Sequence, residues 1–83
     1  MRTYYYKLRA EADLKDLDAL DDDLDMINEA VRALAADEIQ GYGVPLQSPF
    51  LRPKEILHQY HVGRYKLNYT LTEKELNVVS VME

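Results

Sequence analysis

The chain contains no cysteine. That removes disulfides, thiolate metal sites and thiol nucleophiles, and it fits a reducing compartment. No apolar run comes near the roughly 18 residues of a membrane span. The opening residues, MRTYYYKLRAEADL, hold no apolar segment of the secretory kind, so the expected location is the cytoplasm. Glycine and proline number three each. Five of these six are Gly41, Gly43, Pro45, Pro49 and Pro53, and together they exclude a long regular element over residues 36–53. Positive charge is scarce too, with ten Lys/Arg against fifteen Asp/Glu. Residues 1–41 hold five cations against eleven acids and residues 42–83 five against four. The acid therefore sits in the first half. Such a chain is a poor generic binder of nucleic acid, whose affinity comes largely from phosphate neutralisation, so any RNA contact must come from a local cluster.

What remains is enough for one modest core. Eighty-three residues, 47% hydrophobic and 30% charged, make a single globular domain spanning 1–83. Tyr4, Tyr6 and Leu8 alternate with Thr3, Tyr5 and Lys7, and aromatics at this density predict a first strand over Arg2–Leu8. The tyrosines read as strand packing rather than as platforms for bases, since only Arg2, Lys7 and Arg9 accompany them. From Glu11 the period changes. Leu17, Leu20, Leu24, Ile27, Val31 and Leu34 recur at spacings of three and four, one face of a helix. Asp21, Asp22 and Asp23 suit a helix start better than an interior, which splits the run into helices near 12–19 and 22–36. A single bent helix is the alternative.

The second half alternates with period two. Ile56, His58, Tyr60 and Val62 oppose Leu57, Gln59 and His61. After Gly63-Arg64, Tyr65, Leu67, Tyr69 and Leu71 oppose Lys66, Asn68 and Thr70. A third apolar run covers 76–82. This is an antiparallel meander with one face buried and the other free to carry function. Val44, Leu46, Phe50 and Leu51 are expected to tuck beneath the preceding loop. The order predicts an α+β domain, β-α-α-β-β-β, with a helical hairpin packed on a mainly antiparallel sheet.

In that order, and in the residues that carry it, the chain resembles the RelE/ParE superfamily of toxins from toxin–antitoxin pairs. The hairpin LKDLDALDDDLDMINEAVRALAADE of residues 14–38 follows a short strand and precedes a loop ending Phe50-Leu51-Arg52. Val62 to Tyr69 is similar to the family's Gly-x-Tyr-Arg-Leu-x-Tyr hairpin, with Lys66 in place of arginine, and Val78-Val79-Ser80-Val81 is similar to its last core strand. The resemblance implies a protein acting on messenger RNA at the ribosome or on DNA gyrase, neutralised by a cognate antitoxin that wraps the sheet, in a homo- or hetero-oligomer. It implies Lys66 as the cation of the strand and His61 at a second basic position, the two catalytic candidates. Two departures stand out. Leu57 and Gln59 occupy positions where RelE members carry lysines, and the sequence closes at Met82-Glu83 where the family continues with arginine.

Gln59 and Arg64 join Lys66 and His61 as a candidate polar patch, about 5 Å between β-carbons if they pair across the hairpin. The same residues equally suit the solvent face of a sheet. Asp21, Asp22 and Asp23 are the binding candidates of a rival reading, a non-catalytic module whose acidic helical face meets a basic partner. A third reading is a structural module that dimerises through an exposed strand edge. No metal is expected. The aspartates lack the spacing, central glycine and closing glutamate of a calcium loop, and His58 and His61 have only Glu55 near them in sequence. No cofactor is expected either.

Overall fold

The computed structural model describes residues 1–16, 21–44 and 56–83, with the backbone alone at Asp21 and 42–44. In chain order it holds β1 (Thr3–Tyr6), α1 (Leu8–Asp16), α2 (Asp21–Ala35), β2 (Tyr42–Val44), β3 (Leu57–Val62), β4 (Tyr65–Leu71) and β5 (Glu75–Met82). The strands form one sheet in the order β1-β5-β4-β3-β2. Every pairing is antiparallel except that of β1 with β5. Two helices on a mixed, mainly antiparallel sheet make the expected α+β domain, with a short strand added inside the 36–53 connection. Among the described residues no helix is long and apolar enough to cross a membrane.

The helical stripe finds its partner in β4 and β5. Ile27, Val31 and Leu34, with Ala30 and Ala35 beside them, lie buried against Tyr65, Leu67 and Tyr69 of β4 and Leu76, Val78 and Val81 of β5. Each of the larger side chains contributes on the order of 1.5–3 kcal/mol by leaving water. Leu24 is half-buried on the same stripe. Leu17, Leu20, Leu46, Phe50 and Leu51 fall outside the described residues, as does the side chain of Val44. Helix α1 begins four residues earlier than the sequence pattern suggests, because β1 ends early. The Lys7 N–H makes the last bond to β5, donating to the Val78 carbonyl at 2.9 Å, and the Lys7 carbonyl already accepts from Glu11 at 3.0 Å. Helix α2 ends at a residue with positive φ, Asp37 (φ 58). The Glu38 N–H reaches the Ala33 carbonyl and the Asp37 N–H that of Leu34, a closure usually built on glycine. Arg2 secures this end. Its backbone N–H donates to Ala35, its Nε to the Thr72 carbonyl and its Nη1 to Asp37 at 2.6 Å.

Strand β5 is not regular. Asn68 faces Ser80 while Tyr69 faces Val78, so Val79 has no partner on β4. This bulge explains how Leu76, Val78 and Val81 can all be buried, though strict alternation would send Val81 outward. Beyond Val78, β1 has already ended, and the Val81 N–H is taken up by Asp13 Oδ2 of α1 at 3.0 Å.

Candidate functional site

The helices cover one face of the sheet and leave the other. On the helix face of β3, His58, Tyr60 and Val62 lie opposite Tyr69, Leu67 and Tyr65 of β4. The His58 ring stacks on that of Tyr69, centroids 5.3 Å apart, and burial lowers its pKa below the ordinary histidine value. His58 is thus a packed side chain. Tyr69 is buried, and that burial raises its phenol pKa. Its hydroxyl and the Gln59 carbonyl fill the space that a β-carbon at Gly41 would occupy, so that glycine is a close-approach position.

The second face is a polar grid set by the strand registers. His61 lies opposite Lys66, which lies opposite Met82. Gln59 lies opposite Asn68, which lies opposite Ser80. Thr70 faces Asn77, which faces Tyr5 of β1. The expected cross-strand contact of Lys66 is therefore with His61, while Gln59 is one row further and adjoins Asn68. Of these residues His61 is exposed and Gln59 and Lys66 are half-buried. The hairpin turn that fixes the register has Gly63 at φ 56 and no positive φ at Arg64. That is the pattern of a two-residue loop with glycine in its first position. A β-carbon at Gly63 would come 2.7 Å from Met26 Cε of α2.

Arg64 does not join the patch. It turns toward the helices, where Nη2 donates to the Tyr65 hydroxyl at 2.9 Å and approaches Asp23 Oδ2 at 3.5 Å, and Nε meets Glu83 Oε1 at 3.3 Å. The Tyr65 hydroxyl, bonded to Arg64, and then the Glu83 carboxylate raise the pKa of this guanidinium above its ordinary value, which keeps it charged. The Tyr65 hydroxyl itself donates to Asp23 at 2.8 Å. Arg64 and Asp23, two residues expected to bind a partner, tie the β3–β4 turn to the start of α2. Asp22 remains exposed, and Asp21 is the first residue of that helix.

Asn68 was not singled out by the alternation, yet it is the most unusual member of the face. It sits on the central strand and is only 4% exposed. Its Nδ2 donates to Ser80 Oγ at 2.9 Å and contacts Met82 Sδ at 3.6 Å, but its Oδ1 is buried without a hydrogen-bond partner. Whichever way the amide is turned, the Ser80 hydroxyl serves only one of its two polar atoms. Buried polar groups are nearly always paired, so this orphaned oxygen, set among the half-buried Gln59, Lys66 and Ser80, is an exception on an otherwise regular face. The sequence signal was present in the polar alternation Lys66, Asn68, Thr70 on a strand whose other face is wholly apolar. Among the described residues no cluster of three or more His, Asp or Glu could hold a metal ion.

Comparison with protein-family models, with curated proteins and with solved structures returned no match.

Proposed function

We propose that this chain is a cytoplasmic toxin-like protein of RelE/ParE type, held in check by a cognate antitoxin and acting at the ribosome on messenger RNA or on DNA gyrase. The observation that carries the reading is the cross-strand pair His61–Lys66 on the face that the helices leave uncovered, in a chain of strand, helical hairpin and meander. Lys66 would supply a point charge and His61 an imidazole able to donate or accept a hydrogen bond. RNA cleavage needs charge stabilisation in the transition state from several donors. With Arg64 engaged on the other side of the sheet and leucine and glutamine at 57 and 59, action on gyrase without RNA cleavage suits the residues better. Induced expression should arrest growth, and the product of a neighbouring gene should relieve the arrest. Cells that grow normally at full expression would remove the proposal. Once arrest is seen, cut messages at the ribosomal A site identify the RNase branch, and intact messages with inhibited supercoiling identify the gyrase branch.

A second reading, a non-catalytic module of the same architecture, draws on α2. Asp22, Asp25 and Glu29 are exposed there and would meet a basic partner. Reversing those charges should abolish partner capture and leave the fold intact under this reading, whereas the toxin reading predicts unchanged arrest.

A further inference from the structure

We propose that the outer edge of β1 is a docking site for an extended, acidic peptide segment of a different chain, which adds to the sheet as a sixth strand. The proposal does not depend on the toxin reading. It starts from the backbone. β1 is the terminal strand of the sheet. Thr3 and Lys7 donate their N–H groups inward, to Lys74 just before β5 and to Val78 within it. The parallel register puts Tyr5 in the same phase. The N–H and C=O groups of Tyr4 and Tyr6 therefore point away from the sheet. At the same phase, the outward N–H of Arg2 is satisfied by the Ala35 carbonyl at the end of α2. Among the described residues Tyr4 and Tyr6 have no backbone partner of that kind. An unpaired row of this sort is a template for another strand.

The side chains beside the edge select the occupant. Tyr4 and Tyr5 are 37% and 47% exposed on opposite faces of β1, and Leu8, which follows, is 84% exposed. These offer apolar contact to both faces of an incoming strand. Residues 1–9 carry Arg2, Lys7 and Arg9 and no acid, in a chain whose next 32 residues hold eleven acids. Lys7 and Arg9 are exposed. Arg2 is held by Asp37, so Lys7 and Arg9 supply the exposed positive charge at this end of an acidic molecule. A second copy pairing through the same edge would bring these cations against their own equivalents, which disfavours a symmetric dimer. An acidic strand of another protein meets opposite charge and apolar contact together. The extended backbone pairing favours a peptide over single-stranded nucleic acid.

The test uses the full chain, labelled for amide NMR, with two synthetic probes of identical alternation, acetyl-EVEVEVE-amide and acetyl-KVKVKVK-amide. The acidic probe should bind at least tenfold more tightly and should slow hydrogen exchange at Tyr4 and Tyr6, which exchange fast in the free chain. The double variant K7E/R9E, which alters side chains only and leaves the Lys7–Val78 backbone bond in place, should reverse the preference. Tyr4→Pro removes an outward N–H without breaking a β1–β5 bond and should weaken binding at least tenfold. If that variant loses its fold, the exchange data and K7E/R9E still decide. Several outcomes would overturn the proposal: no probe binding, equal binding of both probes, shifts centred on His61 and Lys66, protection of Tyr4 and Tyr6 that grows with protein concentration alone, or displacement of the acidic probe by a thymidine decamer.

Discussion

Asn68→Val should make this protein more stable and less able to act. The unpartnered Oδ1 costs the fold its desolvation, on the order of 1–3 kcal/mol. Removing the amide also removes the bond to Ser80, which at 2.9 Å contributes about 1 kcal/mol, and the freed Ser80 hydroxyl is only partly buried and can turn to water. Valine suits a central strand better than asparagine by a few tenths of a kcal/mol. The balance is a gain of about 1 kcal/mol. For a domain of this size the urea slope is about 1 kcal/mol/M, so the unfolding midpoint should rise by about 1 M. Asn68→Asp provides the contrast, since it buries a charge beside the same orphaned position and should destabilise by about 2 kcal/mol or more. Growth arrest, if the open face is the acting face, should weaken in the valine variant despite its greater stability. A midpoint that falls by 1 M or more would show that the amide is fully satisfied in the folded protein and that its Oδ1 is no orphan.

Three further outcomes are expected. Asp13→Ala should cost about 1.5–3 kcal/mol, read by denaturant melts, because the buried Val81 loses the charged acceptor of its N–H; Asp13→Asn should recover part of the loss. At Asp37, glycine should be at least 1 kcal/mol more stable than alanine, since it removes the cost of positive φ while both variants lose the exposed pair with Arg2. Burial, and secondarily the neighbouring Tyr4, pushes the Tyr6 phenol up from 10.0 to about 12, while its hydroxyl donates to Asn28. A folded pKa above the unfolded one means that stability is full below pH 10 and is lost between pH 10 and 12. The limit is ~2.7 kcal/mol, reduced to ~1 kcal/mol by the ring's partial exposure. Tyr6→Phe should flatten that part of the stability profile.

The parts of this fold that follow from neighbours in sequence were legible. Ile27, Val31 and Leu34 announce a helix face, and Tyr65, Leu67 and Tyr69 announce a strand face, because periodicity is a local property and both are buried as it requires. Leu76 to Met82 was legible as a strand but not as a bulged one, since the unpaired Val79 is defined only by its register against β4. The parallel partnership of β1 with β5 joins the two ends of the chain, and no local pattern encodes it. At the candidate site, turn geometry and alternation put Lys66 across from His61 or Gln59, and the register selects His61. They could not tell that Arg64, next to the turn, would leave the patch for Asp23 and Glu83, because that choice depends on carboxylates distant in sequence. Asp13 was invisible for the same reason. Its role follows from β1 ending opposite Val78 while β5 runs on to Met82.

The bulge at Val79 also bears on how this strand can change length. Losing one residue from a strand ordinarily turns every following side chain to the wrong face. Here, removal of Val79 would leave Val78, Ser80 and Val81 in unbroken alternation opposite Tyr69, Asn68 and Leu67, the partners they already have. The last strand can therefore lose a residue at that one position without a frame error in its packing. Relatives one residue shorter at this point would keep the same core and the same polar face.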